Sequence, residues 1–158
     1  MISLIDQSLD REEIKKILPH RERWLLLDKV LNLDTETATA TAIKTFTEEE
    51  CRGHFPSHLV VPGYLVAEAL AQTGGIIIGL QIAENNNNDK TAENNNNNKK
   101  AFLAGSRIRF RLPVFPSQEV VLKATLTKKK GGIFFFNGRA SVDGKLVVDG
   151  DFIIALKN

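Results

Sequence analysis

Cysteine and histidine are scarce in this sequence, and each scarcity excludes a class of site. With Cys51 as its one cysteine, the chain cannot form an internal disulfide, and it is typical of proteins in a reducing compartment such as the cytoplasm. A thiol nucleophile is one interpretation of Cys51, and a small buried hydrophobe is the commoner one. The three histidines lack the spacing of metal ligands, so the sequence predicts neither a metal site nor a metal cofactor.

An excess of charge of either sign is also missing. The 21 basic and 19 acidic side chains leave a net charge of +2, which gives no support to bulk nucleic-acid binding. Acidic residues occur near the start and no cleavable apolar core follows, so no signal peptide is predicted. A length of 158 residues suits one domain, which we expect to span residues 1–158.

One long apolar stretch runs from residue 63 to residue 82. Pro62 precedes it and suits the first turn of a helix, where its missing N–H would have no partner. Few residues within the stretch are strongly polar, among them Glu68, Gln72 and Thr73. It is long enough to cross a membrane, but its polar residues and glycines favour a buried core helix without membrane insertion.

Glu68 and Gln72 are four residues apart, so they lie on one stripe of this helix. Burial disfavours the charged form of a carboxyl group and therefore predicts a raised pKa for Glu68. A raised pKa prepares a carboxyl group for general acid catalysis near neutral pH. A partly exposed glutamate, or one paired with a structural arginine, is the alternative.

His54 lies in a loop, between a glycine and a Phe-Pro pair, and is free to project from it. Histidine exchanges a proton near neutral pH, which makes His54 a candidate base, although an ordinary surface histidine has the same pattern. The N–H groups of Gly63 and Tyr64 begin the helix and lack partners there. They could polarise a carbonyl oxygen as an oxyanion hole does.

Strand patterns lie on both sides of the helix and predict an α+β fold, with one antiparallel sheet curled around the helix. A short helix is expected after Asp10. The strand-like segments are 24–33, 35–46, 107–114, 119–127, 133–142 and 145–156. The asparagine-rich stretch at about 84–100 has no periodicity and is predicted to be a mobile loop without chemistry. A protein-interaction tract is its alternative.

Four motifs follow one another along the chain. Residues 18–28 contain LPHR and LLLD, residues 53–56 read GHFP, residues 62–72 contain PG and EALAQ, and residues 109–114 read RFRLPV. In this order they resemble the signatures of the FabZ-type 3-hydroxyacyl-(acyl-carrier-protein) dehydratases, which have the hotdog fold. The similarity covers residues 18–156 and implies the same arrangement of sheet and central helix.

The resemblance implies a reaction and its catalytic residues. His54 would remove the C2 proton of a 3-hydroxyacyl thioester, and Glu68, alone or through a water, would protonate the departing C3 hydroxyl. The product would be a trans-2-enoyl thioester of fatty acid biosynthesis, formed without a metal or redox cofactor. The resemblance also implies four residues that bind the substrate: Gly63, Tyr64, Gln72 and Phe55.

The family further implies partners. The substrate would arrive on the phosphopantetheine arm of acyl carrier protein. His and Glu would meet across a homodimer interface, often within a trimer of dimers. Since carrier proteins are acidic, two basic clusters are candidates for docking, with a solvated sheet face and a charged hairpin as the alternatives: Arg107, Arg109 and Arg111, and Lys128, Lys129 and Lys130.

Several positions depart from the family pattern. Residues 57–59 read Ser-His-Leu where the family has Gly-Asn-Pro, and Tyr64 is bulkier than the usual aliphatic residue. Ser106-Arg107 stand where the family has Ile-Asp-Asn, so the chain is one residue shorter there. These changes leave the acyl chain length open, and two other functions on this fold compete: an acyl thioesterase, which would release a free acid, and a non-catalytic acyl-binding protein.

Overall fold

One antiparallel sheet of six strands packs against a long helix. The structure is a computed structural model that describes residues 8–88 and 100–157. These residues contain three helices, a 3-10 turn and six strands, in chain order α1 (Arg11–Ile17), the 3-10 turn (Glu22–Trp24), β1 (Lys29–Asp34), β2 (Thr39–Thr45), α2 (Glu48–Cys51), α3 (Gly63–Asn88), β3 (Lys100–Phe110), β4 (Glu119–Lys130), β5 (Ile133–Val142) and β6 (Lys145–Lys157).

The strands lie in the order β1-β2-β4-β5-β6-β3, and every neighbouring pair is antiparallel. Strand β5 alternates buried and more exposed residues, because successive side chains point to opposite faces of a sheet. Its buried set, which includes Phe134 and Phe136, faces α3. Strands β1 and β3 form the two edges. The predicted α+β fold is therefore confirmed.

Helix α3 is the core of this fold. The segment before it is anchored where the Val61 N–H donates to the Val114 carbonyl at 2.8 Å. Val66, Leu70 and Ile76 are almost completely buried, and Gly74 lets the sheet approach, since a Cβ there would lie 3.0 Å from the Phe152 ring. The helix segment 63–85 is long enough for a membrane span, and its most apolar 18-residue window has a mean hydropathy of 1.5. More than half of the most apolar window is buried within the protein, as expected for a core helix.

Several predicted boundaries were wrong, and the strand expected at 107–114 lies at Lys100–Phe110. Residues 84–88 were predicted to lie in a loop, but they continue α3, because each residue added to an established helix gains a hydrogen bond. The rest of the asparagine-rich segment, residues 89–99, lies outside the described residues. The first strand begins at Lys29 rather than Trp24, since the chain first makes a 3-10 turn.

A buried lysine connects four of these elements. The Nζ of Lys44, on β2, lies 2.9 Å from Glu50 Oε1 on α2 and 3.8 Å from Asp28 Oδ1. The same Asp28 oxygen lies 3.6 Å from Arg11 Nη1 on α1, and Asp28 Oδ2 accepts a hydrogen bond from the Thr45 N–H. This network, called the Lys44 network below, links α1, the residue before β1, β2 and α2.

Replacement of Lys44 by Met is expected to lower the free energy of unfolding by about 2 kcal/mol, less than the cost of breaking a fully buried pair, because Glu50 keeps partial contact with water. Burial of Glu50 favours its neutral form, but Lys44 and Thr47 outweigh burial and lower its pKa. The contribution of this pair is therefore present at neutral pH and is lost as the pH falls through the pKa of Glu50.

Urea unfolding at pH 7 and at acidic pH measures this effect. The matched control is Lys123→Met, an exposed lysine of β4 that is expected to change stability by less than about 0.5 kcal/mol. Equal stabilities of the two variants at pH 7 would contradict the role given to the Lys44 network.

Candidate active site

A groove of about 700 Å³ runs along α3, between α1 and the start of β3. Its α3 side is formed by residues spaced three or four apart, which share one face of the helix. The apolar part of the groove is lined by Ala71, Gly75, Ile78, Gly79, Ile82, Leu103, Ile154 and Leu156. Its polar lining includes His20, Glu68 and Gln72, together with four cations: Lys15, Lys16, Arg21 and Lys100.

Gln72 fixes the position of Glu68. Its side-chain N–H donates to Glu68 Oε1 at 3.1 Å and to the Trp24 carbonyl at 2.7 Å. Its side-chain oxygen accepts from the Leu26 N–H at 2.9 Å. The amide is 2 % exposed and has partners on both ends, so it holds a carboxylate oxygen of Glu68 in place. Glu68 and Gln72 lie on one stripe of α3, as predicted, and the structure adds the hydrogen bond between them.

His20 is the second neighbour of Glu68, and sequence reasoning gave it no chemical role. Its Nε2 lies 3.6 Å from Glu68 Oε1, an ion-pair distance that is longer than a hydrogen bond. Arg21 holds the loop by donating to the carbonyls of Leu18, His20 and Lys15. The signal in the sequence was the LPHR motif itself, where a proline ends α1 and the next residue is a histidine.

The Nδ1 of His20 is buried and has no hydrogen-bond partner in the described part of the chain. An unpaired buried nitrogen on a titratable ring is uncommon, and such groups concentrate at functional sites. The ion-pair contact of Nε2 with Glu68 and the burial of Nδ1 therefore distinguish His20 from a surface histidine.

The predicted direction of the Glu68 pKa was wrong. Burial works against the charged carboxylate, but the His20 imidazole and the Gln72 amide outweigh burial, so the pKa of Glu68 is lowered. The prediction failed because the composition of the helix shows its apolar surroundings but not the hydrogen-bond donors that other segments bring to the carboxylate. Glu68 in this chain is better described as half of a His20–Glu68 pair than as an isolated neutral acid.

His54 is held by its own loop. Its Nδ1 lies 2.8 Å from the Val60 carbonyl, and its backbone N–H donates to the Cys51 carbonyl. When Nδ1 carries the proton and donates it to this carbonyl, Nε2 is left as an acceptor, as a general base requires. The exposed ring of Phe55 stacks on the imidazole at 4.4 Å.

One chain does not bring His54 and Glu68 together. His54 does not line the groove, and within residues 8–88 and 100–157 no hydrogen bond or ion pair joins the two side chains. The base and the carboxylate predicted from the sequence therefore belong to separate parts of the isolated chain.

The start of α3 is closely covered by Phe110. A Cβ at Gly63 would lie 2.7 Å from the Phe110 ring, so glycine permits this contact. The first helical N–H groups, those of Gly63 and Tyr64, are oriented along the helix axis like those of other helix N-termini. The Tyr64 side chain is 68 % exposed.

Residues 18–151 match the family described as the FabA-like domain. The chain belongs to this family. It is 36 % identical over 151 residues to the 3-hydroxyacyl-(acyl-carrier-protein) dehydratase FabZ of Streptococcus pneumoniae strain CGSP14. The aligned residues cover 95 % of this chain and 99 % of that relative. It is 38 % identical over 150 residues to the dehydratase FabZ of Roseiflexus castenholzii, and this alignment covers 94 % of this chain and 96 % of the relative.

Solved structures agree on the FabA-like fold. The dehydratase heterocomplex ApeI:P from Xenorhabdus doucetiae superposes with a TM-score of 0.70 at 21 % identity, over 92 % of this chain and 91 % of that chain. The structure of a thioesterase-like protein from Ralstonia eutropha superposes with a TM-score of 0.60 at 16 % identity, over 80 % of this chain and 82 % of that chain. At these identities the likeness confirms the hotdog fold alone.

Other residues singled out in this FabA-like chain have plainer surroundings. Cys51 is fully buried, and burial together with the Glu50 carboxylate raises the pKa of its thiol, which does not suit a nucleophile. His58 is exposed, with its ring 5.6 Å from that of Phe115. Ser57 is exposed beside it.

Two of the three arginines predicted to share a strand face lie on β3 opposite carboxylates, and Arg111 follows the end of that strand. Arg107 pairs in register with Asp151, and Arg109 with Asp149. Arg111 forms two hydrogen bonds with Asp149, at 2.7 and 3.0 Å. Much of the charge of this arginine face is therefore balanced within the chain, and its role in docking stays a prediction.

Proposed function

We propose that this chain eliminates water from 3-hydroxyacyl thioesters carried by acyl carrier protein, giving trans-2-enoyl thioesters in fatty acid biosynthesis. The observation that carries the proposal is Glu68, held by Gln72 and His20 where the apolar groove becomes polar. The FabZ relatives, which match nearly the whole chain, support it. The cytoplasm is the proposed location.

The reaction follows from the two catalytic groups. His54 Nε2 takes the C2 proton, and the electron pair of that C–H bond forms the double bond between C2 and C3. The C3–O bond breaks, and the departing oxygen takes a proton from Glu68, directly or through a water held with Gln72. The N–H of Gly63 donates to the thioester carbonyl and stabilises the negative charge that develops there. One water leaves, and the balance requires no metal or redox cofactor.

The His20–Glu68 pair is the proposed proton source. A carboxyl group with a lowered pKa is mostly ionised at neutral pH and by itself has no proton to donate. An adjacent imidazole can supply that proton to the carboxylate. One proton shared by the pair is then delivered through Glu68, the member that faces the leaving oxygen. His20 acts through Glu68 and is a positioning residue.

The proposed site needs two chains. Within residues 8–88 and 100–157, strand β3 has a partner on one side only, and nearly all its residues are exposed. Exposed apolar side chains accompany this edge: Phe102, Leu103, Phe110 and Leu112. An uncovered edge of this kind favours pairing with a second copy. We therefore propose a homodimer in which His54 of one protomer completes the Glu68 site of its partner, with Phe55 and Tyr64 lining the substrate path. A trimer of dimers stays a prediction.

Replacement of His20 by Gln is expected to lower kcat about 10- to 100-fold with little change in KM, because the pair loses the group that stores its proton. A carboxyl group alone loses its proton at lower pH than an imidazole does, so the alkaline limb of the kcat profile should move to lower pH. The cations Lys15, Lys16, Arg21 and Lys100 line the same groove and are unchanged in this variant.

Steady-state kinetics across pH measures both effects, with His58→Gln as the control histidine outside the groove. A His20→Gln enzyme with reduced kcat and an unmoved pH profile would show a merely structural role.

Mass spectrometry of the products tests the proposed function itself. Purified protein is incubated with 3-hydroxyacyl thioesters of acyl carrier protein of several chain lengths. Loss of one water from the acyl group supports the proposal. Release of the free acid would move the assignment to a thioesterase, and no reaction by a folded protein would leave an acyl-binding protein.

A further inference from the structure

Lysines converge at one end of the molecule. Lys100, at the start of β3, pairs in register with Lys157 at the end of β6. The hairpin between β4 and β5 ends at the same place, because the Leu156 N–H donates to the Gly132 carbonyl. The lysine end is defined here by six residues: Lys15, Lys16, Lys100, Lys129, Lys130 and Lys157.

From this placement we infer that the lysine end is the surface that docks the acidic acyl carrier protein. The inference rests on the proposed function and assigns the partner surface of the same site. Acidic partners are drawn to basic surfaces, and such attraction raises the rate of encounter.

The lysine end adjoins the groove. Lys15, Lys16 and Lys100 line the groove that contains Glu68. Lys129 lines a smaller cavity of about 210 Å³, which shares Ile82 and Leu156 with the groove. A phosphorylated arm that enters the groove from this side would pass between ammonium groups, while its acyl chain lies along the apolar face of α3.

The arrangement of these charges is unfavourable without a partner. Like charges directly opposite one another on antiparallel strands are destabilising, and Lys100 and Lys157 are such a pair. Within the chain, Lys15 is paired with Glu12 at 2.6 Å. Asp34 and Glu84 line a separate cavity beside β1 and β2. An anionic partner would relieve the repulsion between Lys100 and Lys157.

The arginine face differs on this point. Its arginines lie opposite Asp149 and Asp151, and Arg109, Arg111 and Arg139 all lower the pKa of Asp149. Arg107 lies beside a separate outer cavity that does not contain Glu68. The arginine face and the lysine end are both basic in sequence. They differ because the arginines lie opposite carboxylates of the same chain and because only the lysine end adjoins the groove.

Two matched double variants test the assignment: Lys130→Gln with Lys157→Gln, and Arg107→Gln with Arg109→Gln. None of these four residues lines the groove. Each enzyme is assayed with a 3-hydroxyacyl thioester of acyl carrier protein and with the same acyl group on N-acetylcysteamine, which has no carrier. The lysine variant is expected to lose about tenfold in kcat/KM for the carrier-bound substrate, to show a weaker salt dependence and to keep its activity on the small thioester. The arginine variant is expected to match the wild type.

A larger loss in the arginine variant, or equal losses by the lysine variant on both substrates, would overturn the inference. If the wild type forms no enoyl product from either substrate, the proposed function fails. Direct binding of holo-acyl carrier protein to the three proteins then decides the docking surface, since weaker binding by the lysine variant alone supports it and equal binding overturns it.

Discussion

Glu68→Gln is expected to lower the rate of water elimination by about a thousandfold, within the range for loss of a general acid. The amide keeps the size of the side chain and its contact with Gln72, but it cannot deliver a proton to the departing hydroxyl. Substrate binding should change little, because the apolar lining of the groove is unaffected. Product formation from a carrier-bound 3-hydroxyacyl thioester, followed over time by mass spectrometry, measures the loss.

Glu84→Gln is the matched control, since Glu84 is an exposed glutamate of the same helix. It should retain wild-type activity. A Glu68→Gln enzyme within tenfold of the wild type, with an unchanged melting temperature, would show that the carboxyl group is not the proton donor.

His54→Ala is expected to cause a similarly large loss, because the base that removes the C2 proton is missing. The loop should keep its shape, since the backbone hydrogen bonds of residue 54 to Cys51 and Val60 remain. His58→Ala, four residues later in the same loop, is the control and should remain active.

The two inactive variants can also test whether the site is shared. Co-expression of His54→Ala and Glu68→Gln chains should restore activity, since a mixed dimer has one site with both groups intact. Random pairing predicts about a quarter of the wild-type activity. Activity no higher than that of either parent, in a sample shown to contain mixed dimers, would place His54 and Glu68 of one chain in the same site.

The fold could be predicted where local patterns are complete. Strand β5 was predicted with its observed bounds, Ile133–Val142, because it alternates strictly and lies between two glycine-containing turns. Residues 25–27 misled the strand prediction, since their apolar run resembles a strand. Their backbone is held instead by side chains from elsewhere, and both Gln72 and Arg11 bond to it.

The site could be predicted only in part, for the same reason. The spacing of Glu68 and Gln72 determines that they are neighbours on a helix. The contact of Glu68 with His20 depends on how α1 packs against α3, which no local pattern specifies. The lowered pKa of Glu68 follows from that contact, so reasoning from composition gave the wrong direction.

The two basic clusters show the same limit. The sequence shows three arginines on one strand face, but the carboxylates that balance them belong to β6, about forty residues later in the chain. The convergence of Lys100 with Lys157 likewise depends on the pairing of β3 with β6.

The exposed edge of β3 makes the solubility of this protein depend on its concentration. Dilution favours dissociation of any dimer that covers the edge, and each released chain presents eleven residues of strand with one side unpaired. Such chains can add to one another in the wrong register and precipitate, so turbidity should be worst during slow refolding, when unpaired chains are present at high concentration. Substitutions that weaken the edge contact would then reduce the yield of protein before they reduce the activity of the chains that remain assembled.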